Sequence, residues 1–230
     1  MLRQLRAELR QHANPARAAV SRRYFKTGPG EYGAGDRFIG LTVPQVRSLA
    51  KRYRLLSRPE TRRLLRSPIH EERLLALLIL VEAYQRGDPQ QIYDFYLQST
   101  RHINNWDLVD CSAEHIIGAH LRERSRSPLV KLGRSNNLWE RRIAIMATFH
   151  FIKRGELAPT LRIARLLLRD REDLIHKAVG WMLREAGQRD LPVAERFLRK
   201  HYRQMPRTML RSAIEKFPES KRLRYLHGSW

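Results

Sequence analysis

Glu72-Arg73-Leu74-Leu75-Ala76 opens a pattern that returns four times along the chain. Its echoes are Trp106-Asp107-Leu108-Val109-Asp110, Arg141-Arg142-Ile143-Ala144-Ile145, His176-Lys177-Ala178-Val179-Gly180 and Leu210-Arg211-Ser212-Ala213-Ile214. The second members fall at 73, 107, 142, 177 and 211, with spacings of 34, 35, 35 and 34 residues. Two positions later stands a small or apolar side chain each time: Leu75, Val109, Ala144, Val179 and Ala213. Any all-helical chain has some regularity of helix spacing. A period this constant is better explained by helix pairs that bury their apolar faces by stacking on one another.

Working outward, strand-like alternation is scarce and apolar residues recur at intervals of three and four almost throughout. Helices are expected near 2–12, 15–25, 43–54, 59–66, 70–86, 89–100, 105–124, 127–133, 137–153, 157–169, 172–187, 191–202 and 206–216. Short breaks such as Arg86-Gly87-Asp88-Pro89, Arg154-Gly155 and Leu191-Pro192 separate them. The expected fold is therefore all-α, an α-solenoid, forming one domain over residues 1–230. One stretch departs from it. Residues 26–40, KTGPGEYGAGDRFIG, hold five Gly and one Pro, which reads as a hairpin or extended loop inserted over residues 27–40.

The chain carries 45 Lys and Arg against 23 Asp and Glu, a formal charge of +22. Of the 45, 37 are Arg. Guanidinium groups fork onto phosphate oxygens, although an Arg bias also follows from GC-rich coding. A net charge this large calls for a polyanionic partner, and nucleic acid is the commonest one. Cys111 is the single cysteine, so an intrachain disulfide and a thiolate-rich metal site are both excluded. The apolar run Leu74 to Val81 is too short to span a bilayer, and the N-terminus does not resemble a signal peptide. No membrane partner is expected, and the expected location is cytoplasmic, associated with the nucleoid.

At the repeat position, four units carry Arg73, Arg142, Lys177 and Arg211, and one carries Asp107. If equivalent positions line one face, that face is a basic row able to follow a phosphate backbone. A plain solvated charged surface is the competing reading. Lys26 and Arg37 add cations around the Gly-rich insertion, where Tyr32 and Phe38 either stack on bases or pack the loop down.

The acidic interruption lies inside residues 102–121, HINNWDLVDCSAEHIIGAHL, the longest stretch free of Lys and Arg. Either Asn104 or Asn105 can cap a helix there. Trp106 and Asp110, four apart, then share one helix face. An ionised carboxylate beside an aromatic ring, in a groove that attracts DNA, suits the breaking of an N-glycosidic bond, because the sugar becomes oxocarbenium-like as the base departs. The same carboxylate can orient the attacking water. Further along, Lys177, Trp181 and Arg184 share a face, and Gly180 leaves room for close approach by a backbone or ligand. For each Trp the bland alternative is core packing, and Trp139, opening an apolar stripe, reads as core. No nucleotide-binding Gly loop, zinc pair or zinc finger is present.

The motifs Asn105-Trp106-Asp107-Leu108-Val109-Asp110, Leu138-Trp139-Glu140-Arg141-Arg142-Ile143-Ala144 and Lys177-Ala178-Val179-Gly180-Trp181-Met182-Leu183-Arg184-Glu185 resemble, in order, those of the AlkD-like DNA alkylation repair family. The resemblance spans most of the chain. It implies a right-handed superhelix of HEAT-like repeats whose basic concave face holds duplex DNA. It also implies a glycosylase that removes cationic N3- and N7-alkylpurines without a base pocket, with no metal and no cofactor; a chain of this size can embrace a duplex by itself, so a monomer is expected. In that scheme Trp106 and Trp181 contact the deoxyribose, Asp110 stabilises the sugar cation and positions water, and Arg142 contacts the DNA backbone. The Gly-rich insertion resembles the protruding hairpin of the AlkF and AlkG branch, which implies binding of branched DNA such as four-way junctions. Three functions thus stand together: an alkylpurine DNA glycosylase, a non-catalytic binder of branched or damaged DNA, and a solenoid adaptor for acidic proteins. The last calls for apolar anchors where the sequence offers Arg and Lys.

Overall fold

The computed structural model describes residues 1–228; the final two residues of the expected 1–230 domain lie outside the described residues. The chain is all-helical, of the α-solenoid class, and divides into two compact units, Met1–Ser112 and a second that begins at Ala113.

The first unit contains α1 (Leu2–Gln11), α2 (Pro15–Tyr24), α3 (Val43–Arg52), α4 (Arg58–Leu65), α5 (His70–Arg86), α6 (Pro89–Gln98) and the short α7 (Trp106–Asp110). Local chemistry sets their starts. Pro occupies the first turn of α2, α3, α4 and α6, where its missing N–H costs nothing, and Asn14, Thr42 and Asp88 cap α2, α3 and α6. Helix α5 is the hub: α3, α4, α6 and α7 all pack on it, and its run from His70 to Leu77 is buried throughout. A helix apolar on nearly every side belongs at a centre.

The second unit contains a π-helical turn (Glu114–Gly118), then α8 (Ser127–Gly133), α9 (Leu138–Met146), α10 (Phe149–Ile152), α11 (Ala158–Leu166), α12 (Asp173–Arg189), α13 (Leu191–His201), α14 (Arg207–Ala213) and α15 (Glu219–His227). Helices α9 and α14 flank α12, and α8, α11 and α13 pack behind them. Gly180 makes the closest of these approaches possible. A Cβ on it would sit 2.6 Å from the Met209 carbonyl oxygen of α14, so a backbone fills the space the sequence left open there.

The repeat has a physical basis. Residues 73, 107, 142, 177 and 211 fall on α5, α7, α9, α12 and α14, and Leu75, Val109, Ala144, Val179 and Ala213 are all buried. Three expectations are corrected. The helix expected over 105–124 is broken, because the Ser112 hydroxyl donates to the Leu108 carbonyl at 2.6 Å and the chain then widens into the π-helical turn. The helix expected over 137–153 divides at Thr148, whose hydroxyl donates to Ile145 O at 2.7 Å. Helix α15 was not expected, since its charged sequence hides one anchor, buried Tyr225, packed edge-on against Tyr202 and Phe217.

The Gly-rich insertion is a loop of successive turns, with a single isolated bridge between Arg37 and Ile69 and, among the described residues, no strand. Of the hairpin and the loop, the loop is what forms. It folds down onto α5: Arg37 N–H donates to Pro68 O, His70 N–H donates to Arg37 O, and the Glu71 carboxylate accepts from the Ile39 and Gly40 N–H groups. Gly40 is required at its place, with φ of +87° and a would-be Cβ 2.1 Å from Asn14 O.

Candidate functional site

In the first unit the site is organised around α7. Asn105 caps it, its side-chain oxygen accepting from the Trp106 N–H at 2.8 Å. Trp106, Asp107 and Asp110 are half-buried, while Leu108 and Val109 fasten the helix to the core. The repeat's lone acid, Asp107, reaches back to α5. Its carboxylate is 2.7 Å from His70 Nε2, and the other imidazole nitrogen, Nδ1, is 3.0 Å from Asp36 of the inserted loop. Asp36 in turn accepts from Asn104 Nδ2 at 3.1 Å and lies 2.6 Å from Arg73 Nη2, an ion pair whose alignment falls short of a hydrogen bond. Four charged side chains from the loop, α5 and α7 thus form one chain, buried at Asp36, His70 and Arg73 and half-buried at Asp107.

The charges within it follow from that geometry. Burial by itself would push the His70 imidazolium down, but Asp107 and Asp36 outweigh it and raise the pKa to about 9, so His70 is cationic at neutral pH. Burial would raise Asp36, yet the His70 hydrogen bond and Arg73 hold its carboxyl below the ordinary value. Cys111 stands next to Asp110, and burial together with the Asp107 and Asp110 charges pushes its thiol far up.

Rings of the loop region surround Trp106. Phe25 stacks on its indole at 5.1 Å and 17°, Phe38 stacks on Phe25, and the His70 ring stacks on Phe38 at 4.5 Å. Tyr24 stands edge-on to Trp106 at 5.8 Å, and Tyr32 is hydrogen-bonded to the indole. Of the two roles open to Tyr32 and Phe38, packing the loop down is the one they fill. Lys26 and Arg37 of that loop are exposed.

In the second unit α12 presents Lys177, Trp181 and Arg184 along one side. Lys177 is exposed and pairs with Asp173 at 2.7 Å. Trp181 is half-buried, donates from Nε1 to Glu185 at 3.0 Å and packs on Phe149 with centroids 6.1 Å apart. Arg184 is tied to Glu185 and Glu215. Arg211 is exposed on α14, and Trp139 is buried, as its apolar stripe required.

The five repeat positions do not make one open row of cations. Arg73 and Arg142 are each 5% exposed, and their guanidinium groups face inward, Arg73 toward Asp36 and Ser67 O, Arg142 toward Leu174 O at 2.6 Å. Lys177 and Arg211 remain at the surface. The residues missed from the sequence are His70, Asp36 and Phe25. His70 and Asp36 lie 34 residues apart and meet only because the loop folds back, so no local spacing marks them.

Comparison with known proteins agrees with this architecture. A solved structure described as a predicted DNA alkylation repair enzyme from Enterococcus faecalis superposes with a TM-score of 0.72 at 17% identity, covering 90% of this chain and 98% of its own. At that identity the likeness shows the fold. None of the curated proteins matches the chain. A model of the DNA alkylation repair enzymes does match, over residues 5–217, and that span of the sequence places the chain in the DNA alkylation repair enzyme family.

Proposed function

We propose that this protein is a monofunctional DNA glycosylase that hydrolyses the N-glycosidic bond of cationic N3- and N7-alkylpurines in duplex DNA. One observation carries the reading: Trp106 and Asp110 share a short helix whose start is locked by the Asp107–His70–Asp36 chain. A carboxylate held in place before the reaction stabilises a developing sugar cation without reorganising, and that is where electrostatic catalysis is strongest. As the C1′–N bond lengthens, its electron pair leaves with the alkylpurine, which becomes neutral. Asp110 faces the positive charge growing on the sugar and accepts a hydrogen bond from water, whose oxygen bonds to C1′ and whose proton is released. An alkylpurine cation is already a good leaving group, so modest help suffices. Trp106 and Trp181 contact the deoxyribose. Lys26, Arg37, Lys177, Arg184 and Arg211 hold phosphates, with Arg142 and Arg73 contributing charge from below the surface. Residues 1–230 act as one DNA-binding domain, and one chain serves one duplex in the nucleoid.

A second reading is favoured by one specific contact. Phe25 covers one face of the Trp106 indole and Tyr32 engages its edge, so part of the ring is taken by the inserted loop. That suits a binder of branched DNA, including four-way junctions, that performs no chemistry. Incubation with duplex carrying radiolabelled N-methylpurines separates the two. The glycosylase reading expects released base, lost in Asp110→Asn while DNA affinity is kept or slightly raised. Junction binding far tighter than duplex binding, with no base released, refutes it.

A further inference from the structure

Helix α2 is unusual in what it leaves outside. Of its ten residues only Ala18 is buried, and Val20 and Tyr24, four apart on one face, are 58% and 66% exposed. Tyr24 is nonetheless held, edge-on to Phe25 at 5.1 Å and 89° and edge-on to Trp106 at 5.8 Å and 77°. Both supporting rings are themselves stacked in the ladder that ends on His70. An exposed aromatic ring set on a rigid base loses little freedom when something lies against it.

The surroundings state the chemistry of the partner. Arg17, Arg22 and Arg23 of α2, with Lys26 and Arg37 of the loop, are exposed cations. The one exposed carboxylate among residues 15–40 is Glu31, whose oxygen accepts the Gly28 N–H at 2.8 Å. A planar apolar surface ringed by cations matches a nucleobase flanked by phosphates.

We propose that Tyr24, with Val20 beside it, is a stacking platform for one unpaired DNA base next to the reaction site, and that Arg22, Arg23 and Lys26 hold the phosphates on either side of it. The inference rests on the reading that the protein binds DNA, and it adds a substrate feature to that reading: a base displaced from its partner. A duplex interrupted by a bulge or gap supplies such a base at little cost, whereas intact duplex must first unpair one.

The test uses the full chain and two duplexes of equal length, one fully paired and one with a single bulged 2-aminopurine. Binding is read by anisotropy and stacking by quenching of the 2-aminopurine. The expected result is tighter binding of the bulged duplex by roughly 10-fold, the scale of one base–aromatic stack, with quenching. Tyr24→Ala should bring the bulged duplex down to the affinity of the paired one and abolish quenching, and Tyr24→Phe should restore both. Equal affinities for the two duplexes in the unaltered chain, or a preference unchanged by Tyr24→Ala, overturns the platform while leaving the proposed reaction standing. Failure to bind either duplex overturns both.

Discussion

Replacing His70 by Gln removes the one positive charge that joins Asp36 to Asp107, and the size of the effect follows from the imidazole's pKa. His70 is 2% exposed, so solvent screens it little. Its value rises from 6.5 to about 9 on folding, despite the cost of burial, because of the two carboxylates. At ~1.4 kcal/mol for each tenfold change, that difference is worth ~3 kcal/mol when fully expressed. A group whose folded value lies above its unfolded value contributes all of its stability below the unfolded value. The contribution here is therefore complete below pH 6.5 and disappears as pH rises through about 9. For a chain of this length each kcal/mol moves the melting temperature by about 2–4 °C, so the parent protein should lose roughly 6–12 °C between pH 6 and pH 10 from this group. Thermal melts of parent and His70→Gln, in matched buffers across that range, isolate the contribution of the imidazolium. The gap between the two should be wide at pH 6 and narrow steadily through pH 9. A gap that stays constant over the whole range refutes the assignment of His70 as an imidazolium held between two carboxylates.

Other outcomes follow from individual contacts. Gly180→Ala drives a methyl group against the Met209 carbonyl of α14 and should cost ~1–3 kcal/mol, seen as a lower urea midpoint; an unchanged midpoint would mean that α12 and α14 are not in that contact. Lys177→Ala, at an exposed position, should flatten the dependence of DNA affinity on salt by about one unit of slope. Arg142→Ala should instead lower the melting temperature and leave that slope close to the parent's, because its guanidinium points to Leu174 O inside the protein; a slope change equal to that of Lys177→Ala would place Arg142 on the phosphates after all.

The fold was legible because stacking helix pairs imposes a near-constant period on the small and apolar positions. Leu75, Val109, Ala144, Val179 and Ala213 are apolar or small for a reason of packing, and a 34- or 35-residue interval exposes that reason without any structure. Charge was harder to read. Arg73 and Lys177 occupy equivalent positions and look alike in sequence, yet one faces a buried carboxylate and the other faces water. What separates them is a third element, the inserted loop that brings Asp36 underneath Arg73, and such a partner leaves no trace in local periodicity. Helix breaks at Ser112 and Thr148 escaped for a related reason: a hydroxyl that donates back to its own helix changes the backbone while leaving the apolar pattern intact. The sequence singles out Trp106 and Asp110 by their spacing on one short helix, whereas the ring ladder beside them leaves no such signal, since Phe25, Phe38 and His70 reach it from separate segments.

The setting of the lone thiol bears on its reactivity. Alkylating agents attack the best nucleophile within reach, and in most proteins that is a thiolate. Cys111 keeps its proton far above neutral pH, because burial and the neighbouring Asp107 and Asp110 carboxylates disfavour a second negative charge, and its S–H is turned toward Leu108 O at 3.4 Å. Half-buried and held as a protonated thiol, the single cysteine of this chain therefore offers little thiolate to electrophiles at neutral pH.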